Sequence, residues 1–139
     1  MNVNALPDSF RVGIPEIDTE HCAILDAVEA VESAIASQNA KLRAERLDAL
    51  LDLVETHFEA EENLLRKHGF PGLVSHVIYH GMLMRKVKGA AARCNETTIT
   101  PESDAYLLTE LMKFIVDDIL RGDMMFKSFL EDKGMIKVR

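Results

Sequence analysis

Four of the five histidines in this chain fall on apolar rows that advance in alternating three- and four-residue steps. That spacing is how amphipathic helices line up the seams along which they pack. The first row reads Ile17, His21, Ile24, Val28, Val31 and Ile35, and the second Leu47, Leu50, Val54, His57, Glu61 and Leu64. The third reads Leu73, His76, His80, Leu83 and Val87. A fourth gives Leu108, Leu111, Ile115 and Asp118, with Ile119, Asp123 and Phe126 on the row beside it. Every row that a bundle would bury is therefore interrupted by an imidazole or a carboxylate.

Glycine and proline mark the joints between these rows. Gly13 and Pro15 precede the first, Gly69, Pro71 and Gly72 separate the second from the third, and Pro101 opens the fourth. Nothing reads as a strand. The spacing predicts helices over about 18–37, 41–68, 72–94 and 101–132, after an arm over 1–17, with Thr100 as the N-cap of the last. The expected fold class is all-α, an up-down-up-down antiparallel four-helix bundle forming a single domain over 1–139. A hydrophobic content of 47% in 139 residues is ample for one core.

The formal net charge of −7 removes the basic footprint that nucleic-acid binding requires, and it also argues against an anionic membrane surface. No window approaches the roughly 18 uninterrupted apolar residues of a membrane span. The opening MNVNALPDSF lacks a charged stretch followed by an apolar one, so the cytoplasm is the expected location. Cys22 and Cys94 are too few for a disulfide framework and read as reduced thiols.

A buried ionisable group without a partner costs several kcal/mol. Seven of them at one level of a bundle need a shared counter-charge, and two divalent cations supply it. Residues four apart on a helix share a face, so His57 with Glu61, and His76 with His80, can each clasp a metal from one helix. Mixed imidazole and carboxylate donors suit iron, with manganese or zinc as substitutes. Glu61 and Asp123 are assigned as carboxylates bridging two cations. His68 lies off the rows beside Gly69 and reads as solvated, and the methionines, including Met82, Met84, Met124 and Met125, read as core filler. Of the acidic run Glu59, Glu61 and Glu62, Glu61 alone is expected to point inward.

The stretches VGIPEIDTEH ending at His21, HFEAEENLL from His57, HGFPG from His68, HVIYH from His76 and FIVDDILRGDMMFKSFL from Phe114 resemble the bacterial hemerythrins, in order and over nearly the whole chain. The resemblance implies two iron ions (Fe2+/Fe3+) joined by an oxo or hydroxo bridge. It implies that His21 and His57 bind one, that His76 and His80 bind the other, and that Glu61 and Asp123 bridge them. It further implies that dioxygen binds reversibly at the open position of the iron held by only two histidines. Phe58, Phe114, Ile115 and Ile119 match the family's hydrophobic oxygen pocket, and their other reading is ordinary core packing.

One position departs from the pattern: Asp118 stands where the family has its fifth histidine. Its spacing to Asp123 keeps the alignment, and it shares a row with Leu111 and Ile115, whereas Asp117 falls on a polar face with Glu110, Lys113 and Arg121. Asp118 can ligate directly, ligate through a water, or leave its iron one ligand short. The expected function is therefore oxygen capture, storage, delivery or sensing by a di-iron protein with a variant ligand set. The alternative is a di-iron enzyme reducing oxygen or peroxide, or handling nitric oxide. The expected partners are these small molecules, without nucleic acid or membrane, on a monomer or weak homo-oligomer.

Overall fold

The structure, a computed structural model, describes residues 8, 11–96, 100–115, 117, 121 and 124–134, with the side chains of all but 94–96, 124 and 125. The described residues form helices α1 (Pro15–Ala36), α2 (Ala40–Lys67), α3 (Leu73–Glu96), α4 (Pro101–Ile115) and α5 (Met124–Asp132), and no strand. Helix α1 packs on α2, α2 on α3, α3 on α4, and α4 returns to α1, closing a helical bundle. Short links between neighbours that pack side by side give them alternating directions. No helix among the described residues is long and apolar enough to cross a membrane.

Local chemistry sets the helix ends. Helix α1 begins at Pro15, ahead of the expected Asp18, because proline at the first helical position gives up only an unpaired N–H. Asp18 is buried and its carboxylate accepts the backbone N–H groups of Val12 and Gly13 at 2.7 and 3.1 Å, tying down the segment that enters the helix. Asn39 caps α2 by accepting the N–H of Leu42 at 2.9 Å. At the start of α4 the Thr100 hydroxyl accepts the Ser103 N–H while the Ser103 hydroxyl accepts the Thr100 N–H, a reciprocal cap.

The α2–α3 turn positions the site. Gly69 takes the left-handed conformation (φ 70°), its N–H donates to the Arg66 carbonyl, and the Phe70 N–H donates to that of Leu65. This pair of bonds ends the helix and folds Phe70 back towards Leu65.

The core is divided. A long cluster contains Ile24, Val28, Leu47, Leu50, Val54, Phe58, Leu83, Val87, Leu111, Phe114 and Ile115. A smaller one at the other end contains Val12, Ile14, Ile17, Leu65, Phe126 and Leu130, with Phe70 and Leu73 against it. On α4 the buried row runs through Leu107, Leu111, Phe114 and Ile115, while the expected Leu108 is only half-buried, because the row steps back four residues from Leu111 rather than three. Met82 is 46% exposed rather than core filler, although Met84 does pack on the long cluster. Far from the divide, buried Arg43 of α2 donates to Asp104 of α4 at 2.8 Å.

Candidate metal centre

Between the two apolar clusters lies a layer of polar side chains: His21 from α1, His57 and Glu61 from α2, and His76 and His80 from α3. None is more than 3% exposed. The helical repeat explains how they meet: each occupies the core-facing row of its helix, between residues of the long cluster and residues of the small one. Asp118, Asp123 and Ile119, the remaining residues expected here, lie outside the described residues.

Glu61 is the hub. Its Oε1 lies 2.6 Å from His76 Nε2 and 3.1 Å from His80 Nε2, and its Oε2 lies 3.2 Å from His57 Nε2. The rings of His21 and His57 pack edge to face with centroids 4.8 Å apart, and those of His76 and His80 do so at 4.3 Å. Two groups of buried donors result, His21 with His57 and Glu61, and Glu61 with His76 and His80, each with its ligand atoms within 4.8 Å of one another. Burial is the largest influence on Glu61 and works to raise its pKa. Hydrogen bonds from His57, His76 and His80 outweigh it and hold the carboxyl well below the usual carboxylate range.

This donor set fits a pair of cations. One carboxylate offers each oxygen to a different histidine group, which is the arrangement of a carboxylate bridging two metals, and imidazole with carboxylate is a donor mixture suited to iron. His76 Nδ1 is buried and finds no hydrogen-bond partner among the described residues.

Aromatic rings close the layer on both sides. Phe58 stacks on His80, and Phe114 stands 6.2 Å from Phe58, with Ile115 buried in the same cluster. On the other side Phe126 meets His76 edge-on at 5.2 Å and Phe70 meets it at 6.4 Å. Of the expected pocket residues, Phe58 lies against His57 and His80, and Phe114 and Ile115 share its apolar cluster.

Two carboxylates act here that the sequence reading left in solvent or did not single out. The Glu62 Oε2 lies 3.0 Å from His80 Nδ1, so Glu61 is not alone in turning inward. Glu20 places an oxygen 3.7 Å from His57 Nδ1. Both residues adjoin a ligand-row position in sequence, and each reaches a histidine on the neighbouring helix. Asp117, read as a surface charge, pairs with Arg121 at 3.4 Å, and its carbonyl accepts the hydroxyl of Tyr79. His68, read as solvated, is the half-buried C-cap of α2. Cys22 is a free, buried thiol whose pKa is pushed up by burial, and the Cys94 side chain lies outside those described.

A family profile described as "Hemerythrin HHE cation binding domain" matches residues 12–130. A myohemerythrin from Riftia pachyptila is 33% identical over 97 residues, spanning 66% of this chain and 72% of its own length. A bacteriohemerythrin from Methylococcus capsulatus is 28% identical over 96 residues, spanning 64% and 73% respectively. A hemerythrin-like protein from Naegleria gruberi is 28% identical over 122 residues, spanning 88% and 89%. In three dimensions the chain resembles a wild-type hemerythrin crystal structure with a TM-score of 0.67 and 22% identity, over 84% of this chain and 88% of that one.

Proposed function

The chain belongs to the hemerythrin family, and from that premise we propose that it is a non-heme di-iron protein that binds dioxygen. The single observation that carries this reading is the split carboxylate of Glu61, one oxygen facing His76 and His80 and the other facing His57. In this reading His21, His57 and Glu61 hold one iron, and Glu61, His76 and His80 hold the other. Asp123 is the second bridge and Asp118 the remaining ligand of the His76–His80 iron. Both fall in the chain between Ile115 of the long cluster and Phe126 of the small one. That is the interval in which His21 separates Ile17 from Ile24 on α1.

When bound, the iron pair supplies the electrons that let dioxygen be held and returned. The protein's own contribution is to exclude water and fix the donors. Phe58, Phe114 and Ile115 make the site's wall apolar, with Ile119 assigned to the same wall, so a small neutral molecule is favoured there over water.

One observation favours a second reading for the outcome of oxygen binding. A carboxylate at position 118 adds negative charge where the family has a neutral imidazole, and added negative charge favours ferric over ferrous iron. That shifts the balance from reversible carriage towards oxidation, with oxygen, peroxide or nitric oxide consumed at the site.

Mixing the iron-loaded, reduced protein with air and following the visible spectrum separates these outcomes. Reversible binding gives an oxygen-dependent absorption band that disappears under vacuum. Consumption gives direct passage to the oxidised spectrum. No spectral change with oxygen would overturn the oxygen-binding assignment.

A further inference from the structure

Both ring nitrogens of His80 lie within hydrogen-bonding distance of a carboxylate, Nε2 at 3.1 Å from Glu61 Oε1 and Nδ1 at 3.0 Å from Glu62 Oε2. A neutral imidazole carries one N–H, and an ionised carboxylate can only accept. The contact with Glu62 therefore selects the form of His80 with its proton on Nδ1. When a cation lies between His80 and Glu61, that form leaves the Nε2 lone pair free to bind it; without one, a proton on Nε2 bridges the 3.1 Å to Glu61.

Helix α2 grips the same ring a third time. Phe58 lies flat against it, so Phe58, Glu61 and Glu62 fix its plane, its inner nitrogen and its outer nitrogen. Among the described residues the outer nitrogens of His57 and His76 meet no carboxylate this closely. Glu20 stands 3.7 Å from His57 Nδ1, beyond a normal hydrogen bond, and His76 Nδ1 has no hydrogen-bond partner among the described residues.

We propose that Glu62 is a positioning residue of the metal centre, holding His80 in the Nδ1–H form so that its Nε2 lone pair faces the metal shared with His76. This rests on the dinuclear reading above. In that reading the same iron takes Asp118 where the family has a histidine, so the positioning of His80 bears more of its binding. The Glu62 side chain is 19% exposed, so its carboxylate stands at the edge of the layer rather than among the metal ligands.

The test uses the full chain loaded with zinc, which is diamagnetic and has no redox chemistry. Long-range proton–nitrogen NMR of the wild type should show the His80 proton on Nδ1. Release of zinc to a chelator should be about tenfold faster in Glu62→Ala for one of the two ions, the range seen when a ligand's outer hydrogen bond is lost. In Glu62→Gln, whose amide oxygen still accepts from Nδ1–H, release should stay within about threefold of wild type. Three results would overturn the role alone in a chain that takes up two zinc ions: a His80 Nδ1 without a proton, Glu62→Ala releasing both ions at the wild-type rate, or Glu62→Gln matching Glu62→Ala. A wild-type chain that takes up no zinc would overturn the dinuclear reading together with it. The NMR measurement requires no variant, so the role stays falsifiable even if a substitution prevents folding.

Discussion

The ring of Phe58 lies on that of His80, with centroids 3.8 Å apart and planes 8° from parallel. Phe58 also belongs to the long core cluster, so one side chain joins the packing of the bundle to the orientation of a metal ligand. Replacing it should cost both. Phe58→Ala should lose about 3 kcal/mol of stability and Phe58→Leu about 1 kcal/mol, measured by urea unfolding of the metal-free chain. Oxidation of the iron-loaded protein in air should be faster in the alanine variant, because water then reaches the histidine layer. An alanine variant with unchanged stability would show that the stack does not hold the core.

The Glu61 carboxyl carries a pH signature. Its folded-state pKa is depressed, so its contribution to stability is fully present above the unfolded value of about 4.3 and is lost as pH falls through the lower folded value. In the metal-free chain, Glu61→Gln should be less stable by about 1–3 kcal/mol at pH 7. That gap should shrink below about pH 4. Denaturation midpoints of both proteins across this range check it, and a gap independent of pH would contradict the assignment.

Arg43 and Asp104 form a buried pair at the far end of the bundle from the histidines. Arg43→Met should cost about 3 kcal/mol because it strands a partly buried carboxylate, and adding Asp104→Leu should recover most of the loss. Neither variant should alter metal content. Loss of metal in Arg43→Met at temperatures where it remains folded would show that the two ends are coupled.

The proposed role of Asp118 makes a direct prediction. Asp118→His should slow oxidation of the reduced, iron-loaded protein in air by about tenfold, if the extra carboxylate is what favours the ferric state. Stopped-flow absorbance gives the rate, and an unchanged one would remove position 118 from the account.

How much of this was legible beforehand follows from the kind of signal involved. His21, His57, Glu61, His76 and His80 could be read because helical periodicity alone puts them on buried rows, and periodicity is a property of sequence. The cap at Thr100 and Pro101 was readable for the same local reason. Leu107 was missed in favour of Leu108 because steps of three and of four residues back from Leu111 fit a helical pattern equally well, and packing in the core chooses between them. Glu62 was read as solvated because its position is one step off the row, and its reach to His80 depends on where α3 stands beside α2. Arg43 gave no signal at all, since its partner Asp104 lies on another helix. Asp18 could have been found, because an acidic residue shortly after Gly13 and Pro15 is placed to accept the N–H groups of an entering turn.

The central claim is that four buried histidines and the Glu61 carboxylate are tolerated together because a pair of cations lies among them. Iron content of protein reconstituted anaerobically with ferrous ion, measured against protein concentration by amino-acid analysis, tests this most directly. The account predicts close to two irons per folded chain. A fully helical protein retaining close to none, or only one, would contradict it.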